Sequence, residues 1–391
     1  VSSIDVLPAR VQTAKIAVGV TFALNGLAIA GWLARAPAIR DGLELSTAGF
    51  GLLLLCMSGA SVASIPLAGP LVQRAGPARA VLLGSMSMVF GLVALATGTL
   101  LGSVALAGSA LLFCGFGVST WDVAMNVEAA DVERRLQRTI MPRFHAGFSL
   151  GTVGGAGVGA LTAAVGLPVW AQLYLTAAVI VAVQIVVVRR FLPHVEPEPG
   201  ARPVITAGQV WREPRTVLIG LIMLGFGFTE GTANDWLAIS LVDGYHTGDT
   251  MGAIGFGVFV TAMTAGRMVG GQATDRWGRV PVLRVTALAA LAGLLLVVFG
   301  GSIPFALAGA LLWGLGASLG FPIGMSAAAD DPIRAAMRVS VAGSIGYGAF
   351  LAGPPLIGFL SEHFGPRNGL LCVLAALLIG LATSHAAKPA P

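Results

Sequence analysis

The chain has 391 residues, of which 56% are hydrophobic and only 10% charged, and its mean hydropathy is +0.86. Soluble globular proteins carry roughly a quarter charged residues, so water is not the main solvent here. The net charge of +5 does not mark a nucleic-acid partner, because the basic residues fall between apolar runs, where they orient a chain in a bilayer.

A helix needs about 20 apolar residues to cross roughly 30 Å of hydrocarbon. The apolar runs predict twelve spans, at 14–34, 46–70, 79–99, 103–129, 143–165, 169–191, 216–241, 251–272, 282–301, 304–328, 338–360 and 368–386. Helices are expected rather than barrel strands, since the runs are continuous and do not alternate with polar residues. The run from Lys15 to Trp32 ends near a small-x-small triplet, Ala34-Arg35-Ala36, but is too long for the apolar core of a secretory signal and is read as the first span. Cys56, Cys114 and Cys372 lie singly in apolar runs without metal-ligand spacing and read as small apolar residues, so no metal and no cofactor is expected.

Alternate connections differ sharply in basic content. Of 23 Lys and Arg residues, 20 fall on one side, Arg267 counted among them, and only Arg35, Arg40 and Arg367 on the other. This places both termini in the cytoplasm and makes the number of spans even. The stretch from Pro193 to Arg215 is rich in Pro and Glu and reads as a cytoplasmic linker. It divides the chain into a six-span bundle at 1–192, a linker at 193–214 and a second bundle at 215–391.

Two halves of equal span count suggest an internal repeat. Gly69-Pro-Leu-Val-Gln73-Arg74-Ala-Gly76 after the second span matches Gly271-Gln-Ala-Thr-Asp275-Arg276-Trp-Gly278-Arg279 after the eighth, at an offset of 202. Trp32-Leu33-Ala34 recurs as Trp236-Leu237-Ala238, and Ser149-Leu150-Gly151 as Ser344-Ile345-Gly346. The glycines allow a tight turn, and the Asp and Arg residues can pair with neighbouring helix ends to latch one conformation. This loop pattern resembles the hallmark loop of the major facilitator superfamily, and the resemblance extends over the whole chain. It implies an all-α membrane protein with 12 transmembrane helices in two six-helix halves related by pseudo-two-fold symmetry. In the second copy Gly271, Asp275, Arg276, Gly278 and Arg279 would form the cytoplasmic gate. The first copy departs, with Gln73 where the acid stands and Pro77 where a base is usual.

Ionisable and polar residues inside spans are costly and normally face a partner or a water-filled cavity. Span 1 carries Asn25. Span 4 carries Trp121-Asp122 and, four residues on, Asn126, on the same helix face. Span 5 opens with His145, Ser149 and Thr152 on one stripe, and span 7 holds Glu230, Asn234, Asp235 and Trp236. Glu128, Asp131 and Glu133 lie beside Arg134, Arg135 and Arg138, and read as surface ion pairs. Trp32 and Trp236 read as interfacial anchors. Trp121 suits either core packing or stacking on a flat solute, and Arg35 either attraction of an anionic solute or snorkelling.

The span 4 and 5 pattern is similar to the fucose-permease branch of the superfamily and to a less characterised subgroup of it. That resemblance implies proton coupling at Asp122 and solute contact at Asn126, while His145 stands where the sugar permeases place an amide. The expected activity is therefore not enzymatic. It is proton-coupled transport of a small polar solute, sugar-like or a related organic compound, by alternating access, with drug efflux or a non-transporting receptor as alternatives. A carboxyl moving between water and a low-dielectric cavity changes its proton affinity, so Asp122 and Glu230 would carry the proton with His145 as relay, an imidazole ordinarily titrating at about 6.5. Asn25, Trp121, Asn126, Ser149, Asn234 and Asp235 would contact the solute. The expected partners are the solute, protons and membrane lipid, for a monomer in the cell inner (plasma) membrane.

Overall fold

The computed structural model describes residues 3–45, 47–193 and 206–389, and the central part of the predicted linker, 194–205, lies outside the described residues. The described chain is helical. In chain order the long helices are α1 (Ser3–Leu33), α2 (Thr47–Ala75), α3 (Pro77–Leu101), α4 (Val104–Leu136), α5 (Met141–Ala164) and α6 (Val169–Val188). After the linker come α7 (Pro214–Tyr245), α8 (Asp249–Trp277), α9 (Arg279–Phe299), α10 (Ile303–Ala317, resumed after a break as Gly320–Ala328), α11 (Ala335–Phe364) and α12 (Cys372–Thr383).

Among the described residues, ten helices are long and apolar enough to cross a membrane. The two predicted spans that fall short of this standard lie on α5 and α11. Both are long helices, and α5 is diluted by six glycines. Leu83, Phe90, Leu175, Val285, Phe299 and Phe305 are exposed on helices otherwise packed on one another, a surface that hydrocarbon solvates and water does not.

The chain forms two compact units. The first takes in Val1–Gln137, Gly147–Ala207 and Pro332–Ser340; the second takes in Arg138–Ala146, Gly208–Asp331 and Val341–Pro391. Each unit thus includes a short segment, the start of α11 or the start of α5, that belongs in sequence to the other half.

In the first unit α3 and α4 cross on glycine. A Cβ at Gly84 would lie 2.5 Å from the Trp121 nitrogen, and one at Gly117 would lie 2.6 Å from that of Met88. Helices in lipid associate by such close backbone contact, because apolar burial alone gives no advantage over lipid tails. On α5, Gly151 and Gly155 meet the backbone of α1 at Ala23 and Leu27, and Gly159 meets the Ala34 side chain just beyond it. These glycines are packing residues. The second unit repeats the α3–α4 device where α9 crosses α10 at Gly293 and Gly309. Its core gathers Leu237, Leu241, Leu294, Val297 and Leu377 around the edge-to-face pair Phe259 and Trp313, centroids 5.8 Å apart.

One predicted detail is corrected. Trp32 is 1% exposed, so it is a core residue and not an interfacial anchor. The break in the tenth span falls at Ser318 and Leu319, just ahead of Phe321-Pro322-Ile323-Gly324, and α11 continues through Gly353 without interruption.

Candidate functional site

In the first unit the polar residues of α4 form a compact group. Asn126 is fully buried and its Nδ2 donates to the Asp122 carbonyl oxygen at 2.9 Å and to Asp122 Oδ1 at 3.3 Å. This is the one-face, four-residue spacing expected from sequence, and it aligns the carboxylate along its own helix. Ser149 is buried in this unit, and Asn25 on α1 is buried with its Nδ2 lacking a hydrogen-bond partner among the described residues. An unmet buried donor costs free energy. Of the two roles open to Trp121 the structure shows packing: its side chain has no exposed surface and its Nε1 has no hydrogen-bond partner among the described residues.

Arg35 has a role the charge pattern did not reveal. It is buried at the end of α1, where Nη1 donates to Thr162 Oγ1 and Gln172 Oε1 and Nη2 to the Leu167 carbonyl, each at 3.0 Å. Gln172 Nε2 returns a bond of 2.7 Å to the Gly31 carbonyl. The guanidinium clamps α1 to α5 and α6 and does not snorkel. Glu128 is likewise buried, and Oε1 accepts the Leu192 backbone N–H at 2.7 Å, fixing the chain as it leaves α6. Asp131 does pair with Arg134 and Arg135, as its surface position suggested.

The second unit holds an ion pair between two helices. Glu230 Oε2 on α7 lies 2.7 Å from Arg267 Nη2 on α8, with the Arg267 side chain 4% exposed and that of Glu230 17%. Arg267 is therefore removed from the cytoplasmic loop set in which the charge pattern placed it. The same guanidinium donates from Nε to the Ser318 carbonyl at 3.3 Å. Sequence explains why that carbonyl is available: four residues on stands Pro322, which has no N–H to complete a helical bond. Gly266 lets the strands of contact close, since a Cβ there would lie 2.5 Å from Ser318 Oγ.

His145, in the segment of α5 that belongs to this unit, is buried and meets the Phe321 ring edge-on at 5.9 Å; Phe321 in turn meets Tyr347 at 5.3 Å. Asn234 and Asp235 are exposed on α7. The stripe predicted on α5 is divided: His145 belongs to the second unit, and Ser149 and Thr152 to the first.

The second copy of the loop motif is built from backbone and charge together. Gly278 adopts φ +83°, a left-handed value that glycine favours. Asp275 Oδ1 accepts the Thr139 N–H at 2.8 Å, and a Cβ on Gly271 would lie 2.1 Å from the Thr139 carbonyl. Arg279 reaches Asp330 Oδ1 and Ser326 Oγ, both at 2.8 Å, while Arg215 holds the other Asp330 oxygen at 2.6 Å. Arg276 is exposed and stacks over Trp277 at 5.4 Å. In the first unit Gly69 receives the start of α11, where Ser340 Oγ donates to the Ile65 carbonyl at 2.6 Å.

A helical chain with carboxylates inside long apolar helices of each of two units has the build of a membrane transporter. The sequence profile of the Major Facilitator Superfamily matches residues 16–354, and the chain belongs to that family of transporters. It is 32% identical over 384 residues to an uncharacterized transporter of Sinorhizobium fredii, covering 94% of this chain and 98% of the relative. It is 30% identical to an uncharacterized MFS-type transporter of Yersinia pestis, covering 95% of each. In fold it is similar to a Major Facilitator transporter, FucP, in its outward conformation, with a TM-score of 0.81, 14% identity and coverage of 96% of this chain and 99% of that one.

Proposed function

We propose that the chain is a proton-coupled secondary transporter of a small polar solute, working by alternating access, with both termini in the cytoplasm of a cell whose inner (plasma) membrane it spans as a monomer. The observation that carries this reading is the pair of carboxylates held inside helices of the two units. Asp122 is bonded to Asn126, and Glu230 is paired with Arg267. A charged carboxylate in a span costs several kcal/mol unless it is satisfied or functional, and one in each unit gives a proton two places to bind. The moving bodies are taken as 1–192 and 215–391, joined by 193–214. Solute contact is assigned to Asn25, Asn126, Ser149, Asn234 and Asp235, with His145 as the relay. The Asp275 bond to Thr139 and the Arg215, Asp330 and Arg279 cluster serve as the cytoplasmic latch.

The test is a proteoliposome assay in which an imposed pH gradient drives uptake of labelled solutes. Flux should collapse in D122N and E230Q while both proteins remain folded. Gradient-driven uptake that survives both substitutions would overturn the coupling.

A further inference from the structure

We infer that Arg35 anchors an anion site in the first unit, one that takes the carboxylate of a small organic acid on the part of the guanidinium that the protein leaves unbonded. The inference goes beyond the transport reading and does not depend on it.

Charge is the starting point. Arg35 is only 8% exposed, and every acceptor its side chain meets among the described residues is neutral: the Thr162 hydroxyl, the Gln172 amide oxygen and the Leu167 carbonyl. The two acids that follow it in sequence do not serve it. Asp41 is exposed and pairs with Arg40 at 2.7 Å, and Glu44 is exposed. Neutral oxygens satisfy N–H groups but leave the positive charge without a counter-ion. Taking a cation out of water is unfavourable unless an opposite charge comes with it.

The hydrogen bonds show where that opposite charge fits. A guanidinium has five N–H groups. Nη1 uses its two on Thr162 and Gln172, and Nη2 uses one on Leu167. Nε–H and the second N–H of Nη2 have no acceptor among the described residues. The bonded side is held still, because Gln172 Oε1 also accepts the Thr162 hydroxyl at 2.6 Å and Gln172 Nε2 is tied to the Gly31 carbonyl at 2.7 Å. A planar cation fixed on one side, with two N–H donors to spare, suits an anion that offers two oxygens. The ligand is a carboxylate on a small molecule, since so little of Arg35 is exposed that only a narrow group reaches it. A phospholipid phosphate shares this chemistry, and the experiment tells the two apart.

The melting temperature of the full chain is followed in a non-ionic detergent, with acetate against acetamide and benzoate against benzamide, and with ionic strength held constant by sodium chloride. Each carboxylate should raise the melting temperature by a few degrees over about a hundredfold rise in its concentration, and its neutral amide should not. R35M should lose this response. Q172E is the second variant, for the case in which R35M does not fold. Its carboxylate stands where Gln172 Oε1 now accepts from Nη1, so it supplies the missing negative charge from within, and it should abolish the response while the protein remains folded.

Equal stabilisation by acid and amide, or no gain when acetate replaces chloride, overturns the inference. So does a folded R35M or Q172E protein that keeps the carboxylate response. Stabilisation by phosphatidylglycerol over phosphatidylcholine that is lost in Q172E, with none from either carboxylate, also overturns it and gives the place to a lipid phosphate.

Discussion

The two units solve the same problem, polar groups inside a membrane span, with different chemistry. In the first, Asp122 is served by Asn126 one turn away on the same helix, and the buried cation Arg35 is met by neutral oxygens of Thr162, Gln172 and Leu167. In the second, Glu230, Arg267 and Ser318 link three helices, and Asp330 joins Arg215 and Arg279. The Asp122–Asn126 bond lies within one helix and survives movement of its neighbours. Ion pairs between helices depend on their arrangement, so the carboxylate of the second unit is the one whose environment should respond to a change in conformation.

The largest expected effect follows from breaking that interhelical pair. R267A leaves the largely covered Glu230 without its cation and the Ser318 carbonyl without its donor, and should cost about 3 kcal/mol, read as a large fall in the detergent melting temperature. The double variant E230Q/R267M should recover much of this, and failure to do so would show that the pair is not the source of the loss. Next comes D330A, which leaves Arg215 and Arg279 facing each other and should cost about 2–3 kcal/mol, with a melting temperature that falls further as salt is lowered. In the first unit R35A should cost about 2 kcal/mol, since it removes charge-assisted bonds but leaves no unpaired charge among their neutral acceptors; insensitivity of the variant's melting temperature to salt is the check. The smallest effect belongs to D122N. The amide oxygen can still accept from Asn126, so stability should change by less than about 1 kcal/mol, while proton-driven uptake is lost. A D122N protein that melted as early as R267A would erase the distinction between the units.

Much of this was legible in the sequence. The apolar runs locate the helices because a bilayer demands length and continuity, and the Asp122 and Asn126 spacing fixes their shared face. The partners across helices were not legible. Arg267 stands inside the predicted span 251–272 and is a buried cation by that fact, yet the charge count assigned it to a loop. An ionisable residue within a span is the signal that would have found it. Asp330 follows the tenth span by two residues, and only the fold brings it to Arg215 and Arg279. Arg35 and Trp32 were misread for a related reason: closeness to a helix end says nothing of whether a neighbouring helix covers that end.

The glycine after α2, Gly76, has φ 81° and ψ 159°, and Gly278 after α8 has φ 83° and ψ 162°. Gly365 repeats the same turn, at 87° and 156°. This region is open essentially to glycine alone, so the turn is dictated by the backbone and owes nothing to the side chains beside it. Gln73 and Asp275 can therefore differ while the chain path is the same. The loops behave as interchangeable cassettes, and a chimera carrying 275–279 in place of 73–77 should transfer the acid and its basic neighbours into the first repeat without redrawing the fold around them.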